Sequence, residues 1–425
     1  MPFVSLGLSA SLSNPLARLG YTVPTPVQAQ SIPLVLAGRD LLAKAQTGTG
    51  KTAAFGLPMI ERLQLRGGAA GRRRVRGLVL VPTRELAAQV HKSLVTYAGP
   101  ANLRVTSIFG GVSIVPQKRE LQRGTDIIVA TPGRLIDHLE QRTVDLSAVD
   151  ILTLDEADRM LDMGFLPPLR RILHVLPRER QTLLFSATIS DDVRRLSADF
   201  TRDPARVDVS QGQVMAATVT HRVHPVSEGR KGAALAHVLL QSPGDQALVF
   251  CKTKRGSNRV GEALERAGVD AAVINGNKSQ GARQRALGDF RAGRVRVLVA
   301  TDIAARGLDI VQLPLVVNFD LPLVAADYVH RAGRTGRAGF SGNAVSLVVP
   351  ADRHLLRDIQ RLLPEPIEHV VLDGFAAPAS GPSVPEAAPR QPQGRSRREF
   401  GGRPQGTRHA GRGPGRGPRR SFARA

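Results

Sequence analysis

The sequence predicts an α/β protein built from two tandem domains, each a parallel sheet flanked by helices. Short apolar runs alternate with helix-like segments through both halves of the chain, which is typical of parallel sheets with right-handed crossovers. Polar motifs directly follow the apolar runs, at the strand ends where open α/β sheets bind ligands. The length of 425 residues also exceeds what one hydrophobic core usually supports.

In the first half, the predicted strands are 40–43, 78–81, 104–109, 126–130, 151–154 and 182–185. The polar stretch 201–219 follows the last of these runs, and it places an inter-domain linker at residues 210–217. The alternation then restarts with strands 247–250, 271–274, 295–300 and 315–319, and with a helix from Gln280 and Arg283 to Phe290. We therefore expect domains at 1–209 and 218–373, followed by a tail at 374–425.

The glycine-rich stretch Ala45–Thr52 predicts a phosphate-binding loop. It stands between a strand-like run and the helix-like Ala53–Leu65, so its backbone N–H groups and the helix dipole would converge on one anion. Lys51 would reach the outer phosphates, and Thr52 would hold a magnesium ion. The strict pattern has glycine where this chain has Ala45, and the alternative is a glycine-rich turn without a ligand.

Two adjacent acids, Asp155 and Glu156, follow the fifth apolar run and open the motif Asp155–Asp158. A carboxylate at a strand end beside the phosphate loop can hold magnesium, which predicts this role for Asp155. Glu156 would position and deprotonate the attacking water, an effect of about 10²–10⁴-fold on the rate. The alternative is a pair of acids that caps a helix.

A proline-bounded loop near the N-terminus predicts adenine recognition. Gly20 and Tyr21 lead into Pro24–Gln28, where prolines on both sides of the central threonine stiffen the loop. The Gln28 amide can both donate and accept, which matches the two groups on one adenine edge. We expect the upstream Phe3 to pack on this loop.

The segment Tyr328–Arg337 places three arginines within seven residues. Arginines presented from a facing domain to the γ-phosphate can raise the rate of hydrolysis by about 10³–10⁵-fold. The alternative is a solvated helix face.

The formal net charge of +23, carried mostly by arginine, predicts a polyanionic partner rather than a membrane surface. The chain has no Trp and only 4% aromatic residues, which favours contacts to the sugar-phosphate backbone over base stacking. The basic loop 66–77 is either solvated or an auxiliary RNA contact. Residues 374–425, with eleven arginines and two acids, predict a disordered Arg/Gly-rich tail that binds RNA without specificity or keeps the chain soluble.

The single cysteine, Cys251, lies in an apolar run, so we expect a core residue that forms no internal disulfide. No apolar run is long enough to cross a membrane, and the N-terminus lacks the pattern of a signal peptide. These features predict a cytoplasmic protein with no membrane partner.

Together, these motifs resemble the DEAD-box family of ATP-dependent RNA helicases. The resemblance runs from Phe3 to Asp373, and its Asp-Glu-Ala-Asp sequence separates the chain from related helicases whose motif ends in His. Further motifs that carry it are Pro82–Leu86, Gly110-Gly111, Thr131–Arg134, Ser186–Thr188, Thr253, Gln280/Arg283 and Thr301–Asp309. The stretch Ile274–Ser279 and the short basic tail resemble bacterial RhlE-type members.

The resemblance implies two RecA-like domains and a role for each matched residue. ATP would be bound by Phe3, Tyr21, Gln28, Gly48, Thr49, Gly50, Lys51, Thr52 and Asp309, and Mg²⁺ by Thr52 and Asp155. Catalysis would use Lys51, Asp155, Glu156, Arg334 and Arg337. RNA would be held by Pro82, Thr83, Arg84, Gly111, Thr131, Arg134, Thr253 and Thr301. Hydrolysis would be coupled to RNA through Ser186, Thr188, His330 and Arg331.

The implied mechanism is closure of both domains when ATP and RNA bind together. Closure would clamp and bend one strand, separating a short duplex locally, and loss of the γ-phosphate would open the clamp. Two alternatives remain: an ATP-gated RNA clamp or assembly platform with little unwinding, and a DNA helicase of a neighbouring family. Ribosomal or decay ribonucleoproteins are candidate partners, and cold adaptation is another candidate role.

Overall fold

The computed structural model describes residues 3–46, 48–67, 73–209, 219–242, 244–305, 308, 310, 312–336 and 341–375. Within these residues the chain forms two seven-stranded sheets, and all strand pairs in both sheets are parallel. We call the described residues up to Val209 the first lobe and those from Val219 the second lobe. The predicted fold class is confirmed, and the predicted linker 210–217 lies outside the described residues.

The first lobe contains one sheet with helices on both faces. Its strands are β1 Leu41–Lys44, β2 Gly77–Leu80, β3 Val105–Ile108, β4 Ile127–Ala130, β5 Ile151–Leu154, β6 Gln181–Ser186 and β7 Ala205–Asp208, in the spatial order β3-β4-β2-β5-β6-β1-β7. Its helices are α1 Ala10–Arg18, α2 Pro26–Leu36, α3 Lys51–Leu65, α4 Arg84–Ala98, α5 Ile114–Gln122, α6 Pro132–Glu140, α7 Ala157–Asp162, α8 Leu166–Val175 and α9 Asp191–Phe200, preceded by a 3-10 turn, Phe3–Leu6.

Strands at the centre of this sheet are buried on both faces, which is why they read as continuous apolar runs. Every residue of β2, β4, β5 and β6 is buried. Side chains alternate between the faces, so that Leu183 and Phe185 join one hydrophobic cluster while Leu184 joins the other. The two layers of helices hold the strand ends, and the polar motifs that follow them, at one edge.

The second lobe repeats the topology of the first, strand for strand. Its strands are β8 Val219–Pro225, β9 Ala247–Cys251, β10 Ala271–Ile274, β11 Val297–Thr301, β12 Leu315–Asn318, β13 Gly342–Val348 and β14 Glu368–His369, in the order β10-β11-β9-β12-β13-β8-β14. Its helices are α10 Lys231–Leu240, α11 Lys254–Arg266, α12 Gln280–Arg291, α13 Asp302–Ala305, α14 Ala325–Ala332 and α15 Arg353–Gln360, with 3-10 turns at Glu228–Arg230 and Pro350–Asp352. Cys251 is fully buried at the end of β9, as predicted, and burial raises the pKa of its thiol.

Four strands were not predicted: β7, β8, β13 and β14. The expectation that the stretch 201–219 follows the last strand of the first half is wrong, because it contains β7. β7 lies at the edge of the sheet, and Val207 is the one buried residue of its four, so no apolar run marks it. β8 carries two histidines and an arginine, and β14 is a two-residue edge strand, so neither resembles a buried strand in sequence.

The described chain ends on the second lobe. Phe375 accepts a hydrogen bond from the Ser227 N–H at 3.0 Å, and its ring lies 5.3 Å from that of His237. Gly374 and Phe375, the first residues of the predicted tail, therefore pack on the folded lobe, and residues 376–425 lie outside the described part. Among the described residues, none of the helices combines the length and the apolar character needed to cross a membrane.

Candidate functional site

The predicted phosphate loop connects β1 to the first residue of α3. Gly48 and Gly50 have φ angles of 83° and 91°, in the left-handed region that glycine adopts without strain. A Cβ atom added to Gly50 would overlap the Gln28 amide, so the close approach of these two segments also requires glycine. The Thr49 hydroxyl donates to the Gln46 carbonyl at 2.7 Å, which closes the turn.

Lys51 and Asp155 meet at the carboxyl edge of the sheet, and both are almost fully buried, at 5% and 2% exposure. The Lys51 Nζ atom lies 3.6 Å from Asp155 Oδ1 and has no hydrogen-bond partner among the residues that the structure describes. Burial raises the pKa of the Asp155 carboxyl, and the nearby Lys51 ammonium offsets part of that rise. A buried ammonium without a hydrogen bond is costly, so this atom suits an anionic ligand.

Glu156 is held in a strained backbone conformation beside Asp155. Its φ angle is 53°, a left-handed value that costs a non-glycine residue about 1–2 kcal/mol, and it precedes the first turn of α7. Its backbone N–H donates to Asp155 Oδ1 at 2.9 Å, and the residue is 8% exposed. The sharp turn thus aims two successive carboxylates at the same edge.

A cavity of about 740 Å³ lies above this edge and is lined by both lobes. From the first lobe it is lined by Tyr21, Gly48, Gly50, Lys51, Thr52, Asp155 and Glu156, and from the second lobe by Gln280, Gln284 and Arg291 of α12, among others. The Thr52 hydroxyl and the Asp155 carboxylate are oxygen groups of the kind that Mg²⁺ prefers, so the residues present fit the predicted metal.

The loop predicted to recognise adenine lies beside the phosphate loop, but not all of the residues predicted to bind adenine line the cavity. The Gln28 Oε1 atom accepts from the Thr25 N–H at 2.9 Å, and Nε2 donates to the Gly50 carbonyl at 3.1 Å. Phe3 is buried and packs edge-on against Tyr21, with ring centroids 6.3 Å apart. Of Phe3, Tyr21 and Gln28, Tyr21 lines the cavity, while Gln28 ties this loop to the phosphate loop.

The arginines predicted to reach the γ-phosphate belong to the second lobe. Arg334 is buried and donates to the Leu308 carbonyl at 2.7 Å, and it does not line the 740 Å³ cavity. Arg337 and the predicted ribose contact Asp309 lie outside the described residues. For Arg334, the contact with phosphate therefore stays a prediction.

Of the residues predicted to couple hydrolysis to RNA, Ser186 and Thr188 are joined through Asp158. Asp158 accepts from the backbone N–H and the hydroxyl of Thr188, both at 2.9 Å, and its own N–H donates to the Ser186 hydroxyl at 3.2 Å. His330 of the second lobe lines the same cavity of about 1110 Å³ as Asp158 and Thr188. Arg331 instead forms an ion pair with Asp302 at 2.7 Å inside the second lobe.

A contact between the lobes joins the first turn of α4 to the first turn of α12. The Glu85 carboxylate accepts from Gln280 Nε2 at 3.0 Å and pairs with Arg283 at 3.1 Å. The side chains of Glu85 and Arg283 are only 10% and 11% exposed. Sequence analysis found these residues but gave them no role, although the i, i+3 spacing of Gln280 and Arg283 puts both on one helix face.

The RNA-binding residues predicted in the first lobe surround the turn after β3. A Cβ atom added to Gly111, whose φ angle is 75°, would overlap the Arg84 guanidinium, and Arg134 donates to the Val112 carbonyl at 3.0 Å. Thr131 begins α6 in the same place. Pro82 and Thr83 precede α4, and the Thr83 hydroxyl caps it by accepting from the Leu86 N–H at 3.2 Å.

The two RNA-binding residues predicted in the second lobe also follow strands. The Thr253 hydroxyl caps α11 by accepting from the Gly256 N–H at 2.9 Å, as Thr83 caps α4. Thr301 is the last residue of β11 and is 7% exposed.

The basic loop 66–77 is largely committed to acids of its own lobe. Arg66 pairs with Asp150 at 2.9 Å, and Arg73 and Arg76 both pair with Asp126. The described arginines of the loop are therefore paired with acids rather than merely solvated, and the auxiliary RNA contact stays a prediction. Residues 68–72 lie outside the described part of the chain.

Comparisons with known proteins agree with this geometry. Residues 25–196 match the family described as DEAD/DEAH box helicase, and residues 230–339 match the helicase conserved C-terminal domain. The RNA helicase CrhR of Synechocystis sp. is 43% identical over 367 residues, which cover 86% of this chain and 73% of that protein. The DEAD-box ATP-dependent RNA helicase CshA of Geobacillus kaustophilus is 42% identical over 369 residues, covering 87% and 78%.

Solved structures resemble the chain as well. S. cerevisiae Dbp5 bound to RNA and ADP BeF3 matches with a TM-score of 0.78 at 29% identity, covering 87% of this chain and 96% of that chain. Mss116p bound to ssRNA and AMP-PNP matches with a TM-score of 0.76 at 26% identity, covering 86% and 78%.

Proposed function

Because this chain belongs to the DEAD-box family of ATP-dependent RNA helicases, which are RNA-dependent ATPases, we propose that its lobes close over one ATP molecule and one RNA strand. Closure would grip the strand by its sugar-phosphate backbone and bend it, so that a short duplex separates locally or an RNA–protein complex is remodelled. Hydrolysis would remove the γ-phosphate and release the grip.

The observation that supports this proposal most is the buried Lys51 ammonium, which lacks a hydrogen bond and opens into a cavity that both lobes line. Lys51 would bind the outer phosphates, and the backbone N–H groups of the phosphate loop would surround them. Glu156 would orient the attacking water and take its proton. Magnesium held by Thr52 and Asp155 would neutralise charge on the phosphates.

The second lobe would complete the site. Arg334 and Arg337 would stabilise charge on the γ-phosphate, which for Arg334 means a reach beyond its present contact with Leu308. Glu85, with its partners on α12, would transmit closure between the predicted RNA contacts and the nucleotide site, because the neighbouring Arg84 packs against Gly111 in the turn after β3.

The test is a strand-displacement assay on a short RNA duplex, together with ATP hydrolysis measured without nucleic acid, with RNA and with DNA. A helicase displaces the strand with ATP and hydrolyses faster with RNA. Stimulated hydrolysis without displacement would instead favour the ATP-gated clamp. Equal stimulation by DNA would favour a DNA helicase, since contacts to the 2′-hydroxyl distinguish RNA. No stimulation by RNA contradicts the proposal.

We also propose a cytoplasmic location, ribosomal or decay ribonucleoproteins as partners, and a place among the RhlE-type members. The high basic charge and the bacterial relatives support these proposals. A map of RNA crosslinks in cells would identify the target RNA and contradict the partner proposal if neither class of particle appeared.

A further inference from the structure

The turn Phe109–Val112, which we call the glycine turn, has its backbone carbonyls held by donors from two helices. The backbone N–H of Thr131, which precedes α6, donates to the carbonyl of Ile108, the last residue of β3, at 2.9 Å and so continues the ladder between β4 and β3. The Gln117 amide of α5 donates to the Phe109 carbonyl at 3.0 Å, and Arg134 of α6 donates to the Val112 carbonyl at 3.0 Å. The turn is therefore fixed relative to α6, which carries two predicted RNA contacts.

Gln117 is itself held by His138, which also belongs to α6. The Gln117 Oε1 atom lies 3.3 Å from His138 Nε2, and the His138 Nδ1 atom lies 2.7 Å from the Thr143 hydroxyl. His138 is fully buried, and Gln117 is 8% exposed. Gln117 and His138 thus form a buried polar link between the glycine turn and α6.

The direction of each hydrogen bond in this link follows from the carbonyl at its end. Because the Phe109 carbonyl can only accept, the Gln117 Nε2 atom must face it, and Oε1 is left to accept from His138. His138 then carries its proton on Nε2, and Nδ1 lies 2.7 Å from the Thr143 hydroxyl, which also donates to the His138 carbonyl at 3.1 Å. Burial, with the Arg134 and Lys118 cations, lowers the pKa of His138 to about 4, so the imidazole is neutral near pH 7, as this arrangement requires.

We propose that Gln117 and His138 are positioning residues for RNA binding, which act on the glycine turn through the Phe109 carbonyl. The inference rests on the proposed RNA contacts of Gly111, Thr131 and Arg134. Gly111 packs directly against the Arg84 guanidinium, which leaves no space for a Cβ atom there. A shift of the Phe109 carbonyl therefore displaces the turn from the arginines on both sides of it.

The first experiment compares Gln117→Met with Gln181→Met. Gln181 is a matched control, because it is 5% exposed and its Nε2 atom donates to the Val35 and Arg39 carbonyls at 3.0 and 2.7 Å, at the opposite edge of the sheet. Both variants lose buried hydrogen bonds and should lower stability alike. Gln117→Met should raise the RNA concentration for half-maximal ATPase roughly fivefold. ATP affinity without RNA and kcat at saturating RNA should not change.

The second experiment compares two substitutions of His138. His138→Gln keeps an N–H donor near the position of Nε2, whereas His138→Asn keeps a polar group near Nδ1 and loses the contact with Gln117. His138→Gln should retain RNA affinity better than His138→Asn, and this comparison remains available if Gln117→Met does not fold.

The inference is overturned if Gln117→Met and Gln181→Met change the half-saturating RNA concentration equally, or if His138→Asn binds RNA as well as His138→Gln. Failure of the proposed function would be seen separately, because wild-type hydrolysis would then show no RNA stimulation at all.

Discussion

The two lobes repeat one topology, yet they leave the same pair of charged side chains in different states. The helix after the first strand begins with a buried lysine in each lobe, Lys51 in α3 and Lys231 in α10. An aspartate follows the fifth strand in each lobe, Asp155 after β5 and Asp320 after β12. Lys51 stays 3.6 Å from Asp155 without a hydrogen bond, whereas Lys231 donates to Asp320 at 2.9 Å.

The connection before each lysine explains the difference. In the first lobe, the phosphate loop leads to Lys51, and its described residues supply no hydrogen-bond partner for the ammonium. In the second lobe, a 3-10 turn leads to Lys231, whose ammonium also lies 4.9 Å from the Phe319 ring centroid and 3.9 Å from Asp352. The proposed nucleotide site thus lies in the lobe whose buried lysine has an ion-pair contact at 3.6 Å but no hydrogen bond among the described residues.

The residue after each aspartate differs as well. Glu156 follows Asp155, whereas the buried Leu321 follows Asp320. The second lobe therefore keeps the charge pair as a structural element and has no carboxylate for activating water at that place.

The largest expected effect comes from Glu156→Gln, which removes the carboxylate that the second lobe lacks. We expect kcat for RNA-stimulated hydrolysis to fall by about 10²–10⁴-fold, because the amide cannot take a proton from water. ATP and RNA should still bind together, since the side chain keeps its size. Phosphate release measures kcat, and RNA affinity in the presence of ATP measures joint binding. Hydrolysis at the wild-type rate would show that Glu156 has another role.

The next effect separates the two lysines. Lys51→Ala should abolish ATP-dependent turnover, because it removes the ammonium that would bind the outer phosphates. It should also lower stability, because the buried Asp155 loses its ion-pair partner at 3.6 Å. Lys231→Ala should lower the free energy of unfolding by about 1.5–3 kcal/mol without abolishing turnover, because it breaks a charged hydrogen bond to Asp320.

Urea unfolding and ATPase assays on both lysine variants measure this pair of outcomes. The comparison of the lobes would fail if Lys231→Ala lost turnover without losing stability, or if Lys51→Ala kept ATP-dependent turnover.

A smaller effect concerns the contact between the lobes. Glu85→Gln removes the charge that Arg283 pairs with, and we expect the enhancement of RNA affinity by ATP to fall roughly tenfold, within the usual range of coupling energies. Arg66→Gln, which breaks an exposed ion pair within the first lobe, should leave the coupling unchanged. If ATP enhanced RNA affinity equally in the wild type and in Glu85→Gln, the contact between Glu85 and Arg283 would not carry the coupling between ATP and RNA binding.

The smallest effect is a pH dependence carried by the first lobe. The folded chain holds the pKa of His138 at about 4, against 6.5 for an ordinary histidine, so the unfolded chain binds this proton more readily. The contribution of His138 to the free energy of unfolding is therefore fully present at neutral pH. It falls as the pH drops below about 6.5, by about 1 kcal/mol between pH 7 and 5.5.

The His138→Gln variant should lose this share of the pH dependence, measured from urea midpoints at the two pH values. Burial also lowers the pKa of His221 and His224 in the second lobe, so part of the dependence should remain. Burial lowers the pKa of His91 in the first lobe as well, so an unchanged pH dependence in His138→Gln would mean that His138 contributes none of it.

Much of the fold was readable from local pattern. Strands buried on both faces, such as β4 and β5, appear as apolar runs, and the motifs after them mark the carboxyl edge. Edge strands such as β7 and β14 are short and largely exposed, so their sequences carry no such run.

The candidate site was readable to the same extent. The phosphate loop with Lys51 and the acids Asp155 and Glu156 were predicted to form one site, and they line one cavity. Gln28 was predicted to face adenine, but only the packing of its loop shows that its amide bonds to Thr25 and Gly50. Nothing in the local sequence of Gln117 or His138 indicates that they meet.

The sequence by itself determined which chemical groups follow each strand, because parallel strands bring their ends to one edge whatever the loops contain. Tertiary structure alone decided that Lys231 has a hydrogen-bond partner while Lys51 has none among the described residues. It also decided that Glu85 contacts α12. Hydrogen bonds between residues far apart in the chain depend on how helices pack and which groups burial brings within reach, and no local pattern encodes that distance.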